Sequence, residues 1–369
     1  MPMDERALTE RLIRYDTSDP EEIRKASGFM KGWLEARDIP VEEIGIREMP
    51  LLAATVGQQG APKVEFHGHL DVVPGRQEQF TPRVEGDRLY GRGAYDMKGA
   101  LAAMMGALQE LRDARGVQVV LAVVPDEESE EEIDRGTEFL IKSGYTGDFA
   151  ITGEPTDLHV GVQAKGVLAM RLEVCGTAAH GATPWLGDNA ILKAHDAFRS
   201  IESLPFARES SDLFDRPSIN LGRILGGDAL NKVPDSCVID VDIRYLPGQD
   251  PKEIRAQVSD LPDVTVLAQF HRTPAIVDRN NPFVQVLGES VAKVLDSEPM
   301  SVGRDGASDA ICFITAGVPA VEFGPEGAGH HGPSEWVSIS SLEAYRRALV
   351  DFVRLIPDRL SDRPSLRIA

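Results

Sequence analysis

Five short segments of the chain carry acidic and histidine side chains in positions suited to metal chemistry. Each follows, or closely trails, an apolar run typical of a strand, so we expect five loops to meet at one edge of a sheet. Carboxylates gathered in this way repel one another or take up protons unless cations compensate them, and carboxylate and imidazole are ligands of such cations. The pattern therefore predicts a site for two metal ions. The segments are His69-Leu70-Asp71, Asp96, Asp126-Glu127-Glu128, Glu154 and His330-His331.

His69 and Asp71 directly follow a strand predicted at 64–66. Taken alone, a His-x-Asp on a loop is usually an ordinary polar turn. On an extended backbone, however, residues two apart point the same way. One of the pair can then bind a metal ion while the other orients it, as carboxylates commonly do for histidine ligands.

Asp96 lies in a glycine-containing stretch at 91–99, just before a predicted helix. The alternative role is a helix N-cap, for which aspartate is a favoured residue. Capping does not require the flanking glycines, which let the backbone approach closely. A carboxylate held rigidly there could bridge two ions through its two oxygens, as paired metal sites with a separation of roughly 3.5–4 Å require.

Glu127 and Glu128 come directly after an apolar strand predicted at 117–124. The alternative is a solvated acidic run, because further acids lie at 130–134. The position nevertheless favours function, since ligands in open α/β sheets bind outside the carboxyl ends of the strands. Neighbouring side chains point apart, so one glutamate can hold a metal ion while the other faces an attacking water. Glu154 and His330-His331 also follow strands, predicted at 149–152 and 317–323.

Length and charge limit the classes of protein to consider. The 369 residues exceed what one compact core usually supports, which predicts two domains. With 39 Lys and Arg against 59 Asp and Glu, the formal net charge is −20, so neither nucleic acid nor an anionic membrane is an expected partner. The first residues lack the basic and apolar regions of a secretory signal, and no apolar stretch approaches the length of a membrane span. We expect a cytoplasmic protein.

The order of predicted elements indicates two kinds of domain. Helices and strands alternate up to about residue 164, which is typical of an α/β domain with a mixed, mainly parallel sheet. From 165 to 274 the order is β-α-β-β-α-β, and the strands alternate apolar and polar residues, as in a ferredoxin-like α+β domain. We therefore predict a catalytic domain formed by 1–164 and 275–369, with the second domain inserted between them. Its predicted helices begin and end at 5–15, 27–37, 99–111, 136–142, 281–294 and 341–355.

The five segments extend into longer motifs: GHLDVVP at 68–74, GRGAYDMKG at 91–99, DEE at 126–128, GEPT at 153–156 and HGPSE at 331–335. With these motifs, nearly the whole chain resembles the co-catalytic zinc peptidase and deacylase family that includes acetylornithine deacetylase, succinyl-diaminopimelate desuccinylase, aminoacylase and carnosinase-type dipeptidases. The resemblance implies that His69 and Glu154 hold one ion. Glu128 and His331 would hold the other, and Asp96 would bridge the two. The ions implied are Zn²⁺, with Co²⁺ as the alternative.

The same resemblance implies the catalytic roles. Glu127 would be the general base, with Asp71 behind His69. His331 stands at the family's ligand position, immediately before x-Pro-x-Glu, so His330 would support a neighbouring group or lie on the surface.

The inserted domain resembles the family's lid and dimerisation domain, which implies a homodimer. His180, in GTAAHGATP at 176–184, matches a histidine that reaches the partner subunit's active site and polarises the scissile carbonyl. Asn231 and Arg244 match positions that bind substrate oxygen or carboxylate. For Arg244 the alternative is a surface ion pair with Asp242, because such pairs are common and weak.

Two residues depart from the family pattern. Ile311 stands where desuccinylases tend to carry an arginine, two residues beyond Ser-Asp. A contact that grips a carboxylate would then be missing, which weakens the case for a succinyl substrate. Ser334 replaces the usual asparagine, a change expected to alter hydrogen bonding of the loop rather than metal binding.

The resemblance implies a two-metal amidohydrolase that cleaves the amide bond of an N-acylated amino acid, of the acetylornithine deacetylase or succinyl-diaminopimelate desuccinylase type. Metal-activated water would attack the carbonyl, with Glu127 as the general base. A metallo-dipeptidase or carboxypeptidase of the same family is the alternative, because the same site cleaves peptide bonds. A more remote alternative is an inactive metal-binding scaffold, which should have lost a ligand or the base, whereas this sequence retains them.

Overall fold

The computed structural model describes residues 4–46, 49–128, 135–296 and 300–360. The chain forms two compact units. The first unit contains residues 1–162, 277–302 and 308–369, and the second contains residues 163–276 and 303–307. The short segment 303–307 belongs to the second unit, where Asp305 pairs with Lys165 at 2.7 Å. The acidic run at 130–134 lies outside the described residues.

The helices and strands are numbered in chain order over both units. The helices are α1 Glu5–Ile13, α2 Pro20–Glu35, α3 Gly99–Glu110, α4 Gly136–Lys142, α5 Ala190–Ile201, α6 Pro251–Ser259, α7 Pro282–Leu295, α8 Ala310–Thr315 and α9 Ile339–Leu360. The strands up to residue 180 are β1 Val41–Ile46, β2 Met49–Gly57, β3 Lys63–His69, β4 Arg83–Glu85, β5 Arg88–Tyr90, β6 Gln118–Val124, β7 Phe149–Thr152, β8 Val160–Ala164, β9 Gly166–Cys175 and β10 Ala179–His180. The later strands are β11 Ser218–Gly226, β12 Lys232–Val233, β13 Ser236–Tyr245, β14 Val264–Arg272, β15 Ala275–Ile276, β16 Ser301–Arg304, β17 Ala320–Glu322, β18 Gly327–Ala328 and β19 Trp336–Ser338.

The main sheet of the first unit has the strand order β1-β2-β6-β3-β7-β17-β8. The central strands β6, β3, β7 and β17 pair in parallel, whereas β1, β2 and β8 pair antiparallel with their neighbours. Both β3 and β6 are buried along almost their whole length, as expected of strands inside a parallel sheet. The mixed α/β sheet predicted from the sequence is confirmed.

The parallel strands bring their carboxyl ends to one edge of the sheet. His69 is the last residue of β3, and Glu127 and Glu154 follow β6 and β7. His69 is therefore the last residue of its strand. The shorter strand predicted at 64–66 had placed it in the following loop. On one side of the sheet, α3 packs against β3, β6, α1 and α9. Its small and apolar side chains are buried from Gly99 to Leu108, which fixes the preceding turn that carries Asp96.

Helix α2 begins at Pro20, earlier than the predicted start at residue 27. The carboxylate of Asp19 accepts hydrogen bonds from the N–H groups of Glu21 and Glu22 at 2.8 and 3.3 Å, which caps the helix. Pro20 occupies the first helical turn, where its missing N–H costs nothing. Apolar spacing reveals the buried face of this helix but not its exposed first turn.

A second, small sheet of the first unit has the order β18-β19-β5-β4 and is antiparallel throughout. In its register Trp336 lies opposite Tyr90. The loop that follows β5 and the loop that precedes β19 therefore leave the sheet side by side. These loops carry Asp96 and His331.

The second unit has the predicted β-α-β-β-α-β order in β9, α5, β11, β13, α6 and β14. Its sheet order is β11-β13-β9-β14 with antiparallel neighbours, which is the ferredoxin-like arrangement. Alternate residues of β13 from Cys237 to Ile243 enter one core with α5 and α6, whereas Asp240 and Asp242 remain partly exposed. Over both units, no helix within the described ranges is long and apolar enough to cross a membrane.

Candidate metal centre

Two sets of potential metal ligands meet at the carboxyl edge of the main sheet. In each set, one donor atom from every residue lies within 4.8 Å of the others. We call His69, Asp96 and Glu154 the first donor set, and Asp96, Glu128 and His331 the second donor set. The structure thus brings together the five ligands predicted from the sequence and places Asp96 in both sets.

Asp96 turns one oxygen towards each set. Its Oδ1 lies 3.1 Å from Nε2 of His69, and its Oδ2 lies 3.3 Å from Nε2 of His331. Nε2 of His69 is also 3.9 Å from Oε1 of Glu154. Nε2 of His331 is 2.8 Å from Oε1 of Glu128. A carboxylate whose oxygens are divided in this way is placed to bridge two ions.

The electrostatics of the site favour bound cations. Burial, together with repulsion from Asp96, raises the pKa of Glu154 well above its usual value. Burial likewise raises the pKa of Glu127 to about 8. A pair of divalent ions would offset the free-energy cost of ionising both carboxyl groups in this buried site. Carboxylates and imidazoles are ligands for Zn²⁺, Co²⁺ and Mn²⁺. The residues therefore fit two divalent ions.

Asp71 contacts both His69 and the loop after β6. Nδ1 of His69 lies 3.0 Å from the backbone oxygen of Asp71 and 3.6 Å from its carboxylate. The carboxylate itself accepts hydrogen bonds from the N–H groups of Glu127 and Glu128, at 3.1 and 2.8 Å. Asp71 therefore orients the imidazole mainly through its backbone and uses its side chain to hold the two glutamates.

Glu127 has a side chain that is 15% exposed and lies beside a buried arginine. Nη1 of Arg135 is 3.8 Å from Oε1 of Glu127 and 3.7 Å from Oδ1 of Asp309. The positive charges of His69 and Arg135 lower the pKa of Glu127, whereas the negative charge of Asp309 raises it, so these effects partly offset each other. Burial remains the larger cause of the raised pKa.

Asp309 is a buried carboxylate that the sequence analysis did not single out. It accepts a hydrogen bond from Oγ1 of Thr137 at 2.5 Å and lies 3.1 Å from Nε2 of His67. These contacts join α4, β3 and the start of α8 behind Glu127. Local periodicity could not reveal them, because the partners are 172 and 242 residues away in the chain. A signal in the sequence was the Ser-Asp motif at 308–309, which was considered above only in relation to Ile311.

The residues predicted to bind substrate lie in the second unit. His180 is exposed, and its Nδ1 accepts a hydrogen bond from the N–H of Ala182 at 3.0 Å. Asn231 is also exposed, and its backbone oxygen accepts from the N–H of Gly181 at 2.7 Å. These two residues are therefore neighbours. Nε of Arg244 lies 3.0 Å from Oδ2 of Asp242, which is the ion pair weighed as its alternative role.

The remaining residues noted in the sequence, His330, Ile311 and Ser334, belong to the first unit. His330 is exposed, and its ring lies 5.6 Å from that of His331 and 5.9 Å from that of Tyr95. Ile311 is buried in α8, and Ser334 is exposed in the loop before β19.

Comparisons with known proteins match most of this chain. A model of the peptidase family M20/M25/M40 matches residues 66–355. A succinyl-diaminopimelate desuccinylase of Rhizorhabdus wittichii is 31% identical over 376 residues, covering 95% of this chain and 97% of the relative. A putative LysW-lysine/LysW-ornithine hydrolase of Pyrobaculum aerophilum is 30% identical over 325 residues, covering 87% and 90%. The crystal structure of a tripeptidase from Staphylococcus aureus shares the fold, with a TM-score of 0.79 and 22% identity over 96% of this chain and 98% of that one.

Proposed function

The chain belongs to the peptidase family M20/M25/M40, and on this premise we propose that it is a two-metal amidohydrolase that removes the acyl group from N-acylated amino acids. It is a hydrolase of amide bonds, and the family includes a dinuclear metal-binding peptidase. The observation that carries the proposal is Asp96, which is shared by two donor sets. Glu127 directly precedes Glu128 of the second set and interacts electrostatically with His69 of the first.

The five ligands divide between two ions, for which we propose Zn²⁺, with Co²⁺ able to replace it. His69 and Glu154 would hold one ion, Glu128 and His331 would hold the other, and Asp96 would be a ligand shared by both. When bound, such ions lower the pKa of water and polarise a carbonyl oxygen.

The protein's own residues move the protons. The carboxylate of Glu127 takes a proton from the water that attacks the amide carbonyl and returns it to the nitrogen of the leaving amine. Burial raises the pKa of Glu127 to about 8, and neighbouring cations would lower it, so the carboxylate could take up and return a proton near neutral pH. Asp71 keeps Glu127 in place through the backbone N–H that it binds at 3.1 Å. The products are a carboxylate and a free amino acid.

The choice of an acylated amino acid rests on the relatives. The desuccinylase and the LysW-lysine hydrolase both cover most of this chain at about 30% identity. The second candidate is a dipeptidase or carboxypeptidase, which the shared fold of the tripeptidase favours.

Metal-free protein supplied with Zn²⁺ or Co²⁺ should hydrolyse N-acetyl or N-succinyl amino acids faster than dipeptides. The reason for this expectation is that a succinyl-diaminopimelate desuccinylase is 31% identical to this chain over most of its length. Release of amine from a panel of N-acetyl, N-succinyl and dipeptide substrates measures this. Turnover of dipeptides alone would make the second candidate the function, and full activity of the metal-free protein would disprove the two-metal site.

We also propose that the protein is a homodimer formed through the second unit. Strand β11 is at the edge of its sheet, and its Ile224 and Leu225 are 41% and 57% exposed. Leu192 of α5 and the nearby Trp185 are 64% and 75% exposed. An open edge strand with large exposed apolar side chains is typical of an interaction surface. In such a dimer, His180 of one subunit would polarise the scissile carbonyl in the other subunit's site, with Asn231 and Arg244 binding substrate oxygens.

Mixing two inactive variants tests whether His180 acts across the dimer. Subunits with His180→Ala and subunits with Glu127→Gln should together recover about one quarter of wild-type activity after exchange, since half of the dimers are then mixed and each mixed dimer has one intact site. The rate of substrate hydrolysis after denaturation and co-refolding measures the recovery. If native mass spectrometry shows mixed dimers but activity stays absent, His180 does not act in trans.

A further inference from the structure

We propose that Glu335 is a positioning residue that holds Asp96 where it can serve both ions. The inference rests on the proposed two-metal site and extends it to a residue that is not itself a ligand. Glu335 is only 2% exposed and precedes β19 in the loop that also carries His331.

The carboxylate of Glu335 uses both oxygens on the loop that carries Asp96. Its Oε1 accepts hydrogen bonds from the N–H groups of Tyr95 and Asp96, at 3.0 and 3.1 Å. Its Oε2 accepts from the N–H of Gly93 at 3.0 Å and from Nη1 of Arg92 at 2.7 Å. An ionised carboxylate offers about four lone-pair sites, so these four donors fill it.

The backbone brings Glu335 to this place through the small sheet. Trp336 of β19 pairs with Tyr90 of β5, and the backbone oxygen of Glu335 accepts from the N–H of Gly91 at 3.1 Å. The chain then turns at Gly93, whose φ is +78°. A Cβ at Gly93 would lie 2.8 Å from Val72 and 2.9 Å from Lys98, so this turn needs glycine. The turn wraps successive N–H groups around one carboxylate.

Arg92 joins the loop that carries Asp96 to the loop that carries His331. While Nη1 of Arg92 binds Glu335, its Nη2 donates to the backbone oxygen of His331 at 3.2 Å. Arg92 is 3% exposed, so this is a buried ion pair, and its two hydrogen bonds join the loop that carries Asp96 to the loop that carries Glu335 and His331. Glu335 and Arg92 together therefore set the distance between Asp96 and His331, which are the ligands of the second donor set on those loops.

The charge of Glu335 is essential to this arrangement. A glutamine would turn an N–H₂ group towards N–H donors that now meet an oxygen, and buried donors without an acceptor are costly. The loop would relax away from the new side chain, and the two oxygens of Asp96 would no longer both face imidazoles. Metal binding should weaken although every ligand remains.

Cobalt titration of the metal-free, full-length protein tests the inference. Wild-type protein should bind two Co²⁺ ions. Glu335→Gln should bind one of them roughly 10–100-fold more weakly, the range typical of groups that orient metal ligands, and its visible Co²⁺ spectrum should change. Glu343→Gln is the matched control, because it removes the same charge from an exposed position on α9. The control should keep the wild-type affinities and spectrum.

Folding is checked from the melting temperature of each metal-free variant. If Glu335→Gln does not fold, Glu335→Asp replaces it, since the shorter side chain keeps the charge but cannot reach all four donors. Wild-type Co²⁺ affinities in a folded Glu335 variant would overturn the inference, as would failure of both variants to fold, which would make Glu335 a folding residue. Binding of fewer than two ions by the wild type would instead disprove the proposed function.

Discussion

Replacing Glu127 with glutamine should slow hydrolysis of the acylated substrate by roughly 10²–10⁴-fold, the usual contribution of a general base. Glutamine has nearly the same shape as glutamate but cannot take a proton from water at neutral pH. The donor sets found among the described residues do not include Glu127, so both ions should stay bound. Burial raises the pKa of Glu127 to about 8. Neighbouring cations would lower it towards neutrality, where a general base works best.

The measurement is kcat together with the metal content of the purified variant. Glu138→Gln provides the control, since Glu138 carries the same charge on the surface of α4 and is 44% exposed. It should leave both quantities unchanged. Near-normal kcat in Glu127→Gln would remove Glu127 from the role of base, and a loss of one ion would show that it is a ligand.

Replacing Asp96 with asparagine should weaken binding of at least one ion by more than about 100-fold and reduce activity accordingly. Loss of a group that merely orients a ligand costs 10–100-fold, and Asp96 is itself placed as a ligand in both sets. Asparagine would keep one oxygen for one set and offer an N–H₂ group to the other. Because the two oxygens now lie 3.1 Å from His69 and 3.3 Å from His331, one set must lose its donor.

Equilibrium dialysis against Zn²⁺ or Co²⁺ followed by metal analysis measures the loss. Asp113→Asn is the control, because that aspartate is exposed on the chain after α3 and is 89% accessible. It should bind two ions as the wild type does. Two ions bound with wild-type affinity in Asp96→Asn would show that Asp96 does not bridge.

Three of the candidate ligands could be predicted because each follows an apolar strand in the sequence. Apolar runs mark β3, β6 and β7, and parallel strands carry whatever follows them to a common edge. His69, Glu128 and Glu154 are therefore recognisable from local context. Asp96 and His331 are recognised as candidate ligands through the longer motifs around them, because the positions of their loops depend on the small sheet and on Glu335.

The residues that contact the candidate ligands or Glu127 without belonging to a donor set could not be predicted in the same way. Glu335 binds N–H groups that lie about 240 residues earlier in the chain, and a backbone donor leaves no trace in residue type. Asp309 and Arg135 meet near Glu127 only after α4 and α8 have packed on the sheet. Residue spacing reveals the faces of helices and strands, whereas these contacts arise from tertiary structure.

The substrate-binding predictions had another origin. His180, Asn231 and Arg244 were identified through resemblance, because alternating strands give the fold of the second unit but not its role. The ion pair of Arg244 with Asp242 shows why residue type alone is ambiguous, since an arginine on a sheet face finds a carboxylate wherever one is near.

The inserted second unit separates Glu154 from His331 in the chain, yet both belong to donor sets joined through Asp96. Bound ions would therefore link the two parts of the first unit that precede and follow the insertion. The entropic contribution to the free energy of closing such a loop becomes less favourable by only about 0.6 kcal/mol for each doubling of its length. Insertions of very different size can thus be accommodated at little cost to the metal centre, so the second unit can vary in length provided that it keeps the residues proposed to bind substrate.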